Sequence, residues 1–158
     1  MISKQMEWLR WAPLAAASLH MGEEFIFPGG FAHWYRRYRV DPSRITNRML
    51  IVVNVVLLAV CCDVGLLGPT PLGVAYWLAI AALLCSNGCW HLWACYKQRS
   101  YSPGVITGMG IYVPLAVYGY AEILRSGAAS VPTALIACSV GSLYQIWSTV
   151  YHRRRKPQ

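Results

Sequence analysis

His20, Glu23 and Glu24 fall within one turn of a largely apolar stretch. If that stretch is helical, Glu23 at i+3 and Glu24 at i+4 share a face with His20, within side-chain reach. Further along, single polar residues punctuate apolar runs: Asn54, Asn87 with His91 four residues on, and Gln145. Two imidazoles and a carboxylate suit zinc, with a fourth position left for water. The same set with open positions also suits non-haem iron. A second carboxylate beside such an ion has the chemistry of a general base. Without a metal, a carboxyl in a low-dielectric site can act as a general acid. The spacing differs from the H-E-x-x-H zinc helix. We therefore assign His20, Glu24 and His91 as ligands of a divalent metal, zinc or iron. Glu23 is assigned as catalytic acid or base and Asn54 as a catalytic positioning group. The competing structural account is a buried His20–Glu24 pair, hydrogen-bonded to Asn54 or Gln145, that locks helices together.

The elements that must carry these groups follow from composition. Of the 158 residues 56% are hydrophobic and 13% charged, whereas soluble domains are nearer half apolar and a quarter charged. Disorder is excluded and a soluble enzyme disfavoured. A membrane span needs about 20 mostly apolar residues, and five segments qualify or nearly do: 8–27, 49–67, 72–96, 105–124 and 131–151. Pro28-Gly29-Gly30 ends the first, Gly68-Pro69-Thr70-Pro71 turns between the second and third, and Ser126-Gly127 between the fourth and fifth. Such short connections make antiparallel neighbours. The expected fold is all-α, one domain over 1–158, an integral membrane bundle of five transmembrane helices.

Charge placement orients it, because Lys and Arg stay on the cytoplasmic side. Arg36, Arg37, Arg39, Arg44, Arg48, Lys97, Arg99, Arg153, Arg154, Arg155 and Lys156 share one side of a five-span chain. Only Lys4, Arg10 and Arg125 occupy the other. The N-terminus is expected outside and the C-terminus in the cytoplasm, in a multi-pass protein of a bacterial-type cytoplasmic membrane. The basic clusters face anionic lipid heads, with Trp34, Tyr35, Tyr38, Tyr96, Tyr101 and Tyr151 as an interfacial aromatic belt. No binding motif accompanies the charge, so no nucleic-acid partner is expected. Ala15-Ala16-Ala17 resembles a signal cleavage site, but the apolar core before it is too short.

Depth counted along the helices places Asn54 and His91 each roughly 9 Å inside the cytoplasmic boundary and Gln145 roughly 12 Å. His20 lies roughly 14 Å from the outer boundary, with Glu23 and Glu24 deeper. Groups from different helices thus fall in one slab, which is the main reason to expect a site. The remaining candidates read as structural. Asn87 and Gln145 by themselves suit helix–helix contacts, Glu122 pairs with Arg125, Asp63 is solvated, and His33 and His152 are interfacial. Gly104, Gly108 and Gly110 suit close packing. Cys61, Cys62, Cys85, Cys89, Cys95 and Cys138 read as free thiols packed like small hydrophobes. Cys85 and Cys89 face away from Asn87 and His91.

His20-Met21-Gly22-Glu23-Glu24, followed by Phe27-Pro28, Asn54, His91 and Tyr101-Ser102-Pro103-Gly104 with Thr107, resembles the HXXEE family, small integral membrane proteins named for that motif. The resemblance implies the same site and a membrane fold. His20, Glu23 and Glu24 carry over as motif positions, and Asn54 and His91 match less securely. The expected function is a metal-dependent, hydrolase-type membrane enzyme whose lipophilic substrate enters from the bilayer. The alternatives are a metal-free isomerase or cyclase with an intramembrane Glu as proton donor, and a non-enzymatic small carrier or membrane assembly partner.

Overall fold

The longest apolar run forms the longest helix and becomes the hub of the fold. In the computed structural model, which describes residues 7–38 and 42–153, this is α4 (Pro71–Gln98). Thr70 starts it, accepting from the Gly73 N–H at 3.0 Å, with Pro71 at a first-turn position where no N–H is needed. Before it run α1 (Ala12–Phe25), α2 (Phe31–Tyr38) and α3 (Asn47–Leu67), the last capped by Thr46 on the Met49 N–H. After it come α5 (Val105–Thr107), a π turn over Gly108–Tyr112, α6 (Val113–Arg125) and α7 (Val131–Arg153). No strand occurs among the described residues. Lys4, Arg39, Arg154, Arg155 and Lys156 lie outside the described residues, as do the side chains of Tyr38, Arg44, Tyr151, His152 and Arg153.

Among the described residues two helices, α3 and α4, are long and apolar enough to cross a membrane, and they coincide with the second and third expected spans. The first expected span, 8–27, contains a shorter helix. α1 has 14 residues, roughly 21 Å of rise against a hydrocarbon core of about 30 Å. The fourth, 105–124, is interrupted rather than regular. Pro114 near the start of α6 has no N–H to offer and its ring would crowd the carbonyl four residues back. The π turn just before it absorbs the mismatch. The segment 36–48, expected to be a loop, begins inside α2. There Phe31 and Tyr35 turn inward, while Arg36 donates to the Ile45 carbonyl at 2.9 Å and to Asn47 Oδ1 at 2.5 Å.

Small residues set how closely the helices approach α4. A Cβ on Gly141 would lie 2.0 Å from the Ala79 carbonyl, and one on Gly88 would lie 2.6 Å from that of Gly108. Gly119 leaves room for the Trp77 indole, whose N–H donates to the Leu9 carbonyl at 2.8 Å. Of the expected glycine face, Gly108 does pack this way. Gly110 is exposed and meets nothing within 4 Å, and Gly104 packs on the histidines described next.

Candidate metal centre

The inward stripe of α1 is Pro13, Ala16, Ala17, His20, Glu23 and Glu24. Its helical spacing is continuous, but its chemistry changes after one turn of alanines. The alanines let α1 come close to the bundle, and the same face then delivers His20 and both carboxylates into the interior. His91 arrives from α4. His20, Glu24 and His91 are 2%, 4% and 1% exposed, so bulk solvent does not satisfy them and protein groups or a bound species must.

The three converge, as their shared depth implied. His20 Nε2 lies 3.5 Å and His91 Nε2 3.4 Å from Glu24 Oε1, and one ligand atom from each residue lies within 4.8 Å of the others. Charge-assisted hydrogen bonds run at about 2.7–2.9 Å, so these contacts are long for a bonded ion pair. Two ligands each about 2.0–2.1 Å from a tetrahedral centre would be about 3.3–3.4 Å apart, which matches the two carboxylate–imidazole distances. His20 Nε2 is buried with no hydrogen-bond partner among the described residues.

Both imidazoles are aimed by one segment, 101–107. His91 Nδ1 is 2.9 Å from Ser102 Oγ, and His20 Nδ1 is 2.8 Å from Thr107 Oγ1. Between them Gly104, at φ +100°, presses on both rings: a Cβ there would sit 2.7 Å from His20 Cε1 and 2.8 Å from His91 Cε1. The hydrogens can be placed on His20. Thr107 has one hydroxyl proton, which it gives to Glu23 Oε2 at 2.5 Å. Its oxygen must then accept from His20 Nδ1–H, leaving Nε2 as the nitrogen that faces Glu24. Fixing the second ring nitrogen in this way is how ligating histidines are oriented.

Glu23 occupies a different place from the one expected for an acid or base. Its Oε1 accepts from the Tyr101 hydroxyl at 2.5 Å and from the N–H groups of Gly104 and Ile106 at 2.9 and 3.1 Å. Its Oε2 accepts from the Thr107 N–H at 2.7 Å as well as from the hydroxyl. Every contact is a donor, so the carboxylate anchors the 101–107 segment and has little capacity left for a substrate. Desolvation of the Tyr101 ring, together with its bond to Glu23, holds that phenol above the usual tyrosine range. Asn54 lines the same cavity as the histidines, but its amide donates to the Leu50 carbonyl of its own helix at 2.8 Å. Ser102, Gly104 and Thr107 are the positioning residues that sequence reasoning did not assign. The S-P-G-x-x-T spacing was their signal, but their partners lie 11 and 87 positions away.

Aromatic rings close around the cluster. Trp90 and Phe31 approach His91 at ring-centroid distances of 4.9 and 5.7 Å, and Tyr112 approaches His20 at 4.6 Å. On one side the cluster opens into a cavity of about 440 Å³, walled mainly by apolar residues of α3 and α4, with Tyr144, Gln145 and Ser148 from α7. Cys85 and Cys89 are not among its lining residues. Asp63 is exposed, and Arg125 grips Glu122 with bonds of 2.7–3.0 Å, as expected for surface groups.

No curated protein and no solved structure matches the chain. A family profile does match it over residues 11–119, more than half of the sequence, from the turn before α1 into α6. That stretch holds His20, Glu23, Glu24, Asn54, His91 and the whole 101–107 segment, and excludes α7. The chain therefore belongs to the HXXEE family, described as proteins of unknown function with an HXXEE motif.

Proposed function

We propose that His20 Nε2, Glu24 and His91 Nε2 bind one divalent metal ion, zinc or iron, and that the protein is a membrane-embedded, hydrolase-type enzyme acting on a lipophilic substrate. The observation that carries this reading is the ligand spacing: 3.4 and 3.5 Å, long for hydrogen bonds and right for a shared ion. Three protein ligands leave a position for water. The ion's role would be to lower that water's pKa and polarise a carbonyl. Water adds to the carbonyl carbon, the acyl bond breaks, and the leaving group takes the proton. Glu23 contributes by holding Thr107, and through it His20. The apolar cavity beside the cluster suits a substrate delivered by the bilayer.

The membrane reading extends the two long helices to five spans, with the N-terminus outside and the C-terminus in the cytoplasm of a bacterial-type membrane. Supporting it, large apolar side chains are exposed along α3 and α7, among them Ile51, Val55, Leu135, Ile136, Ile146 and Trp147. A soluble monomer rarely presents so continuous an apolar surface. The test is metal content and thermal stability of detergent-purified protein. Wild type should carry one divalent ion per chain, and His20→Ala, His91→Ala and Glu24→Gln should lose it. Wild-type protein that carries no metal, and gains no stability from zinc, iron or manganese, would sink the metalloenzyme. The metal-free acid/base and carrier functions would then take its place.

A further inference from the structure

The cavity beside the cluster opens sideways. α7 packs chiefly on α4 and makes little or no contact with α3, so a gap between α3 and α7 lies over α4. The rim residues Val52, Val53, Val56 and Tyr144 are 52%, 39%, 54% and 47% exposed, so the opening faces outward between those two helices. In a membrane that direction is the acyl-chain region. A volume of about 440 Å³ lies in the range that holds one drug-sized molecule, which admits a single chain and is small for a two-chain lipid.

The lining also discriminates by charge. Among the described lining residues there is no Lys or Arg, and Glu24 is the only acidic one. A phosphate held away from the metal would be an unpaired anion in an apolar wall, at a large desolvation cost. Neutral hydrogen-bonding groups are present instead. Asn87 and Ser148 line the cavity with Gln145, and Asn87 Oδ1 is buried without a partner among the described residues. Asn87 precedes His91 by four residues, so it stands roughly 6 Å from it along the helix. A carboxamide there can pair with a hydroxyl on the ligand, about one helical turn from the imidazole of His91.

We infer that the substrate is an uncharged, single-chain ester or amide lipid with a free hydroxyl near its carbonyl, entering from the bilayer between α3 and α7. The inference rests on the proposed metal site for the reaction, but the groove itself can be tested without turnover. Protein in nanodiscs is photolabelled with a monoacylglycerol carrying a diazirine in its chain, and separately with a diazirine phosphatidylcholine. Adducts are mapped by mass spectrometry on metal-loaded and metal-stripped protein. The monoacylglycerol should label the 52–60 and 83–90 walls saturably, and unlabelled monoacylglycerol should compete. The phosphatidylcholine should label outward faces only. Val56→Trp, which fills the groove, should abolish the saturable labelling, while Val55→Trp, whose parent side chain is outside the lining, should leave it. Asn87→Leu should weaken monoacylglycerol competition roughly tenfold, as for one lost hydrogen bond, and leave a plain fatty methyl ester unaffected. Equal groove labelling by phosphatidylcholine, or labelling that does not saturate in wild type, overturns the inference. Absent metal with intact saturable labelling removes the metalloenzyme and keeps the groove.

Discussion

Replacing Thr107 by Val keeps the shape of the side chain and removes one hydroxyl that serves two partners. In the structure that oxygen accepts from His20 Nδ1 at 2.8 Å and donates to Glu23 Oε2 at 2.5 Å. The Thr107 N–H still reaches Glu23 at 2.7 Å, so the 101–107 segment keeps its anchor. What is lost is the fixed orientation of the His20 ring. Removing a partner that orients a ligating histidine typically costs 10–100-fold in metal affinity, or about 1.4–2.7 kcal/mol. A buried Nδ1–H left without an acceptor adds about 1–3 kcal/mol of lost folding stability. Zinc affinity by chelator competition and melting temperature in detergent, each with and without metal, separate the two costs. Thr107→Ser restores the hydroxyl and should recover most of both. If Thr107→Val binds zinc as tightly as wild type, His20 is not held for a metal by this relay, and its unpartnered Nε2 no longer points to a ligand position.

Gly104→Ala should lose both stability and metal. Its Cβ would strike both imidazoles at under 3 Å, in a left-handed backbone conformation that costs about 1–3 kcal/mol for a side-chain residue; an unchanged melting temperature would contradict the packing. Glu23→Gln places an amide NH₂ among five donors, so it should lower the melting temperature and weaken metal binding together. A variant that keeps both and loses only turnover would return Glu23 to an acid/base role. Gly119→Ala would put a Cβ 1.9 Å from the Trp77 ring and should destabilise by about 1–3 kcal/mol through overpacking with metal content per folded chain unchanged. Reporter fusions should place 36–48 and the C-terminus in the cytoplasm, and a C-terminal reporter on the outer side would refute the five-span orientation.

His20, Glu24 and His91 are legible as a cluster in the amino-acid sequence, because ionisable groups are costly inside apolar helices. Each therefore has to face the interior, and equal depth on neighbouring helices leaves few ways to avoid meeting. The helices α3 and α4 are legible for a related reason. Length and apolar composition are local properties, whereas the starts of these helices, capped by Thr46 and Thr70, came from the structure.

Tertiary structure alone decided what each polar group does. Glu23 and Glu24 are chemically equivalent neighbours in the sequence. About 100° of helical rotation separates them, and it points one carboxylate at two imidazoles and the other at the N–H groups of a segment about eighty residues away. The i+4 spacing singles out Glu24 as the partner of His20, but nothing within reach of a sequence window shows what Glu23 meets. The same holds for α2, whose eight residues are too few for a helix to persist without packing. It exists because Phe31 and Tyr35 bury against Trp90, Ile45 and Leu50. The sideways cavity has no signature of its own either, since it is the space left where α3 and α7 both choose α4 as a partner and not each other.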